Sequence, residues 1–505
     1  MATLPPGPKG LPLIGNMLDV PKEFQWLRME EWHKQYGDIV HINIFGQPMI
    51  ILGSLEAVTA AFDKKPGIYS DRPRMVMINE LLGWDHNVVT MRYGPAWRDM
   101  RRDFNQHFRQ GAVHRYHLVF LRQLCKLLDN ILAQPEEILE HLRLISAATI
   151  MDATYGLDVA DKDDPYVTIA NRAMAGASAA ALPGAFLVEA IPLLKYIPSW
   201  FPGASFQRKA RVWNGYTQAL ANKPFEALKA NMVRSYSDMI CTVTPSLHLQ
   251  RSDGTVRSSV AETMLQAACA RPYCACPYCA CPYCLQTAAT AHTFVLAMAM
   301  YPEVQRKAQQ ELDAVLGSRR LPDFSDRENL PYINAIVKEV TRWQPIFPLS
   351  VPHASSEDDY FRGYFIPKGS LVVGNTWSLT HNPAYYPDPE EFRPERFLTA
   401  DGELNNNVLD PYTSIFGYGR RICPGRYFVD ASLFSIFSGI LATFNITPPV
   451  GKDGSFVKLK PVMLPGAIVH PAPFKCVVKP RSNSAVELVR RAHDEIQMNP
   501  ETHNA

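Results

Sequence analysis

Phe416-Gly417-Tyr418-Gly419-Arg420-Arg421-Ile422-Cys423-Pro424-Gly425 places a cysteine in a glycine-rich loop that runs directly into an apolar, helix-forming stretch beginning at Arg426. Each part has a physical use. Glycines let the backbone approach a flat ligand and aim amide N–H groups at the sulfur, while the N-terminus of the following helix favours a thiolate over a thiol. A thiolate held this way can ligate a metal such as iron. One loop cysteine taken alone is more often structural than catalytic, so the weight rests on the whole pattern.

That pattern resembles the heme-binding signature of the cytochrome P-450 family at every fixed position, namely Phe416, Gly419, Arg421, Cys423 and Gly425. The resemblance implies a mainly α fold with small β-sheets and a heme b whose iron takes Cys423 as axial ligand. Thiolate donation to heme iron favours O–O cleavage. Upstream, Glu339 and Arg342 resemble the family's Glu-x-x-Arg helix, in which residues three apart are neighbours on one face. By itself such a pair is usually a solvated surface pair. It is followed by Phe392-Arg393-Pro394-Glu395-Arg396-Phe397, similar to the segment whose arginine completes a buried Glu-Arg-Arg network, so the resemblance gives Arg396 a structural role. Trp97-x-x-x-Arg101, His353 and Arg421 match positions that hold the heme propionates, a task that suits the fixed donor fork of arginine. Singly, each would be an ordinary core or surface residue. Ser70-Asp71-Arg72-Pro73 and the last apolar helix also fit, and the likeness covers Leu4 to Phe474.

The rest of the chain is consistent with one large unit. It has 505 residues, 47% hydrophobic and 20% charged, enough to bury a sizeable core, and no linker or composition step divides it. We therefore read 1–505 as a single domain with a stiff Pro-rich leader at 4–16 and a C-terminal tail at 475–505. Periodicity predicts a helix near Phe24 to Tyr36, a hairpin over Ile39 to Ile51 turning near Gly46-Gln47, and mostly helix from Pro95 to Met232 with breaks near Leu182 to Ala204. Further helices are predicted over Thr287 to Met300, Glu303 to Leu316 with Pro302 in the first turn, Tyr332 to Trp343, and Arg426 to Phe444, with a short strand at Ser370 to Gly374. By position, residues of Arg74 to Val89, Phe201 to Ala210 and Ile346 to Val351 are expected to wall a pocket.

A net charge of +2 gives no global field that would recruit nucleic acid. No run of about 20 apolar residues occurs, which predicts a soluble or peripherally membrane-bound chain. The likeness is greatest to fungal microsomal enzymes of secondary metabolism or xenobiotic oxidation. It implies association with the endoplasmic reticulum membrane, NADPH-cytochrome reductase as electron donor, and a small hydrophobic substrate.

One segment departs from the family. Where its distal helix carries an acid followed by threonine, this chain has Leu285 and Gln286, with Thr287 the nearest hydroxyl. Leucine cannot transfer a proton, and glutamine hydrogen-bonds without titrating. Gln286 and Thr287 are therefore the candidate distal residues, and Thr287 would need a shift of helix register. Just upstream, 267–286 holds an atypical Cys/Pro/Tyr repeat, including Cys274, Cys276, Cys279, Cys281 and Cys284, with Pro272, Pro277 and Pro282 each costing about 3 kcal/mol in a helix interior. Three readings stand: a glutaredoxin-like Cys-Pro-Tyr-Cys site, which lacks its βαβ context; a zinc site at Cys276, Cys279, Cys281 and Cys284; and a repeat expansion, unspliced intron or frame error. The leading expectation is a monooxygenase. The alternatives are a heme-thiolate isomerase or peroxide-rearranging enzyme, and an inactive relative.

Overall fold

Trp26, Met29 and Trp32 recur at helical spacing and form the buried face of α1, Gln25–Tyr36. In this computed structural model, which describes residues 3–181, 184–242, 281–317 and 319–498, the chain next makes the expected hairpin. Strand β1, Ile39–Ile44, pairs antiparallel with β2, Gln47–Leu52. The turn is Phe45-Gly46, one place earlier than expected, with φ of 51° and 82°. Positive φ at both central residues matches the strand twist, and glycine supplies one of them without strain.

Strand β2 continues in parallel to β6, Leu371–Gly374, which also carries β3, His353–Ala354, on its other edge, giving the order β1-β2-β6-β3. Three two-stranded ribbons complete the β-structure of the described residues: β4, Asp359–Phe361, with β5, Tyr364–Ile366; β7, Phe444–Thr447, with β10, Val477–Pro480; and β8, Met463–Leu464, with β9, His470–Pro471.

Helices make the rest of the core: α2 (Pro95–Phe108), α3 (His117–Ala133), α4 (Ile138–Tyr155), α5 (Pro165–Ala180), α6 (Ser205–Thr242), α7 (Cys281–Met300), α8 (Pro302–Leu316), α9 (Pro331–Trp343) and α10 (Arg426–Thr443). Four of them, α2, α5, α8 and α9, begin on proline, whose missing N–H would have had no carbonyl partner in the first turn. Asp164 caps α5 by accepting from the Tyr166 and Val167 N–H groups. Helix α10 is apolar all round and buried all round, as a central helix must be. Its Phe437 stacks on Phe294 of α7 with ring centroids 3.9 Å apart, so the two helices that bracket the site are packed directly together.

Two expectations are corrected. Helix α7 reaches back at least to Cys281, where the described residues resume, and so runs ahead of the expected start at Thr287. The segment 475–505 contains β10 and α11, Asn483–Met498, with Ala485, Leu488 and Val489 buried, and α11 packs on α3. The greater part of the repeat, with Pro272, Pro277, Cys269, Cys274, Cys276 and Cys279, lies outside the described residues. Among the described residues, no helix is long and apolar enough to cross a membrane.

Candidate functional site

Two elements close on one cavity from opposite sides. Helix α7 contributes Gln286 and Thr290, and the cysteine loop with the start of α10 contributes Phe416, Gly417, Arg421, Cys423, Pro424 and Val429. The space between them is about 1140 Å³, part of it open to solvent.

The loop is held in shape by its own backbone. The Cys423 N–H donates to Phe416 O at 2.7 Å, and Arg426 Nη1 donates to Cys423 O at 3.0 Å. Gly419 sits at φ 51°, and a Cβ there would lie 2.2 Å from Phe62 O. Only glycine allows this approach. Gly425 is the N-cap of α10, so Cys423 stands two residues ahead of that cap, in the positive field of the helix start.

One end of the cavity is strongly basic. Arg421 Nε donates to Ser70 O at 2.8 Å and Nη1 to Val88 O at 3.2 Å, and its guanidinium lies 4.2 Å over the Trp97 ring. Trp97 Nε1 donates to the same Val88 O at 3.0 Å, and Arg101 donates to Ile422 O. Both therefore tie α2 to the walls. Arg72, buried on the same wall, donates to Val89, Val351 and Pro352 carbonyls. His353 Nδ1 lies 2.6 Å from Tyr69 O, an acceptor, so Nδ1 carries the proton. The neutral ring could accept at Nε2, and would need a second proton to donate to an anion.

Burial sets the electrostatics. It holds the Arg72 guanidinium well below its ordinary value, with Arg421 pushing the same way and Asp71 opposing. It brings Arg421 down to about 10, against Asp71 and with Arg101. It keeps His353 well below 6.5, reinforced by Arg72. Three guanidinium groups and an imidazole thus face a cavity whose described lining contains no carboxylate. Asp71 is already held by Arg92 at 2.6 Å. Arg421 Nη2 is buried without a hydrogen-bond partner among the described residues, an expensive state unless an anion fills it. A planar macrocycle with carboxylates at one end and a metal over Cys423 fits this donor set.

Behind the site, Glu339, Arg342 and Arg396 meet. Arg342 donates Nε to Glu339 Oε2 at 2.7 Å and Nη2 to Oε1 at 2.9 Å, and Arg396 Nε reaches Oε1 at 3.1 Å. The Arg393 N–H also donates to Oε1, and Arg342 Nη1 to Thr380 O. All three charged side chains are buried.

On the distal side the candidates separate. Gln286 lines the cavity; Thr287 is buried and lines neither this cavity nor its outer neighbour. Thr290, unremarked in the sequence, lines the cavity instead and donates to Gln286 O at 3.0 Å. The side chain of Leu285 lies outside the described residues. Arg72 was likewise visible in Ser70-Asp71-Arg72-Pro73 but given no role. Of the expected walls, residues of Arg74 to Val89 and Ile346 to Val351 do line the inner cavity or its outer neighbour. Phe201 to Ala210 does not: Met174, Ala177 and Ser178 of α5 take that place, and Ala210 packs behind them.

The cytochrome P-450 family profile matches residues 5–477. A cytochrome P-450 monooxygenase of Armillaria gallica is 41% identical over 96% of this chain and 93% of its own length. One of Coprinopsis cinerea is 40% identical over 97% and 92%, and the tryptamine 4-monooxygenase of Psilocybe cyanescens is 36% identical over 96% and 94%. With a thiol facing a basic-ended cavity and likeness of this extent, the chain belongs to the cytochrome P-450 monooxygenases.

Proposed function

We propose that the chain binds heme b through Cys423 and inserts one oxygen atom of O2 into a small hydrophobic substrate, a secondary metabolite or aromatic xenobiotic, using electrons from NADPH-cytochrome reductase. The observation that carries this is the cavity with Cys423 on one wall, Gln286 and Thr290 on the other, and Arg72, Arg101, Arg421 and His353 along its lining. When bound, thiolate-ligated heme supplies the reductive activation of O2, with one atom entering substrate and the other leaving as water.

The chain's residues hold and shape that chemistry. Arg72, Arg101 and Arg421 would take the propionates, with Trp97 fixing Arg421 and His353 fixing Tyr69. Gly417, Gly419 and Gly425 shape the loop, and the helix start favours the Cys423 thiolate. The Glu339-Arg342-Arg396 network holds α9 against the 387–396 segment. On the distal wall neither Gln286 nor Thr290 titrates, so protons must pass along hydroxyl and water hydrogen bonds. A carbon-monoxide difference spectrum of the dithionite-reduced protein tests the proposal. Wild type should show the thiolate-type Soret band, and Cys423→Ala should lose both band and turnover; pigment binding and oxidation that survive the substitution would overturn it.

The absence of an acid from the described distal wall favours one second reading, a heme-thiolate isomerase or peroxide-rearranging enzyme. Hydroperoxide turnover without reductase would support it, and turnover only with O2 and reductase would reject it.

We also propose peripheral contact with the endoplasmic reticulum membrane. Leu13, Leu18, Leu193, Tyr196 and Trp200 are all more than 70% exposed. Trp200→Glu with Leu193→Glu should move the protein from membrane to soluble fractions; unchanged, carbonate-resistant membrane retention would count against peripheral attachment.

A further inference from the structure

A second, outer cavity of about 1410 Å³ adjoins the first, lined by Phe24, Trp26, Met29, Met49, Met174 and other apolar groups. The two share Val89, Gln286, Phe347, Ser350 and Val351, which therefore form the throat between them. Three of these side chains are apolar. Ser350 Oγ is engaged by the Gly374 N–H at 3.2 Å. Gln286 gives its backbone oxygen to Thr290, while no hydrogen bond among the described residues holds its carboxamide.

We propose that the Gln286 carboxamide fixes an elongated, neutral, mainly apolar substrate by one oxygen, carbonyl or hydroxyl, at this throat. The inference rests on the heme reading above and extends it to the substrate. A carboxamide offers a donor and an acceptor without charge, and it stands among three apolar side chains, Val89, Phe347 and Val351. Charged substrates fit poorly. The single acid on either described lining is Glu23, exposed at the rim beside Lys22, so an ammonium group in the throat would lack a partner. The cations of the inner end are matched to the heme carboxylates. Flexible methionines in the outer chamber accommodate varied apolar shapes while the throat fixes one point. Oxidation is then directed to carbons on the Cys423 side of the anchored oxygen.

The test uses heme-loaded wild type, Gln286→Leu and Gln286→Asn, titrated with 2-tridecanone, n-tridecane and dodecyltrimethylammonium below its micelle concentration. Binding is read from the Soret shift. Gln286→Leu should weaken 2-tridecanone about fivefold and leave n-tridecane within about twofold, and Gln286→Asn should recover part of the loss. Wild type should bind the cation more weakly than the ketone. Equal changes for ketone and alkane, no change in either, a wild type that binds neither, or tight cation binding would overturn the proposal. The reduced carbon-monoxide band of each protein separates the two claims: its absence from wild type sinks the heme reading, whereas intact bands with equal probe responses sink this one alone.

Discussion

The two walls of the inner cavity are held in opposite ways. The cysteine wall is fixed from several directions by Cys423 N–H to Phe416 O, Arg426 to Cys423 O, Arg101 to Ile422 O, and the glycine-only approach of Gly419 to Phe62. The α7 wall presents Gln286 and Thr290, whose hydrogen bond to one another stays inside their own helix. A wall that must position a ligand atom needs redundant support, because small displacements there change the chemistry. A wall that faces a mobile substrate can change its side chains without loss of fold. Fold and family identity reside in the first wall, and the particulars of this chain in the second.

The largest expected effect lies behind the cysteine wall. Glu339→Ala leaves Arg342 and Arg396 buried without their carboxylate, which should cost about 3–5 kcal/mol of stability. Chemical denaturation measures it. A loss below about 1 kcal/mol would mean that the backbone carbonyls of Thr380, Pro387 and Glu391 suffice for both guanidinium groups, and the asymmetry between the walls would weaken.

The distal helix has a different attachment. His292 of α7 reaches Leu139 O at 2.8 Å, joining α7 to α4, and burial brings its pKa down to about 4, with Arg143 and His470 lowering it and Glu140 raising it. The unfolded chain, with His near 6.5, binds the proton first as pH falls. Stability is therefore intact above pH 6.5 and declines toward pH 4, by about 3 kcal/mol when complete. His292→Gln should keep a donor to Leu139 and flatten this decline. Parallel pH profiles for variant and wild type would show that the distal attachment carries no such sensitivity.

How far these walls could be read in advance follows the same division. The cysteine loop was legible because each residue does a local job: the turn, the cap and the thiolate all lie within ten positions. Helix α10 was legible because it is apolar all round. Arg72 was not, since its role depends on carbonyls at Val351 and Pro352, far along the chain. Thr290 carries no signal of its own, since the family pattern concerns positions 285–287, whereas this side chain on the cavity face is one helical turn beyond Gln286. Helix α11 is a different case: Ala485, Leu488 and Val489 show the helical spacing plainly within the stretch read as a tail.

The smallest expected effect addresses the distal wall itself. If the family's acid and threonine were lost without compensation, Leu285→Asp with Gln286→Thr should raise O2-dependent turnover about tenfold, less than the roughly 10²–10⁴-fold that a fully positioned proton donor contributes. The same change removes the carboxamide at the throat, so substrates anchored by an oxygen should bind about fivefold more weakly. The two effects oppose one another in kcat/KM but separate cleanly when kcat and KM are measured individually. Product formed per NADPH consumed supplies a third readout, since better proton delivery reduces electrons lost to unproductive O2 reduction. A rise in kcat and KM together would show that this chain gave up proton delivery on the distal wall and gained a substrate contact. A fall in kcat with unchanged KM would mean that Gln286 and Thr290 already form a working relay, and that the distal wall is as finely set as the proximal one.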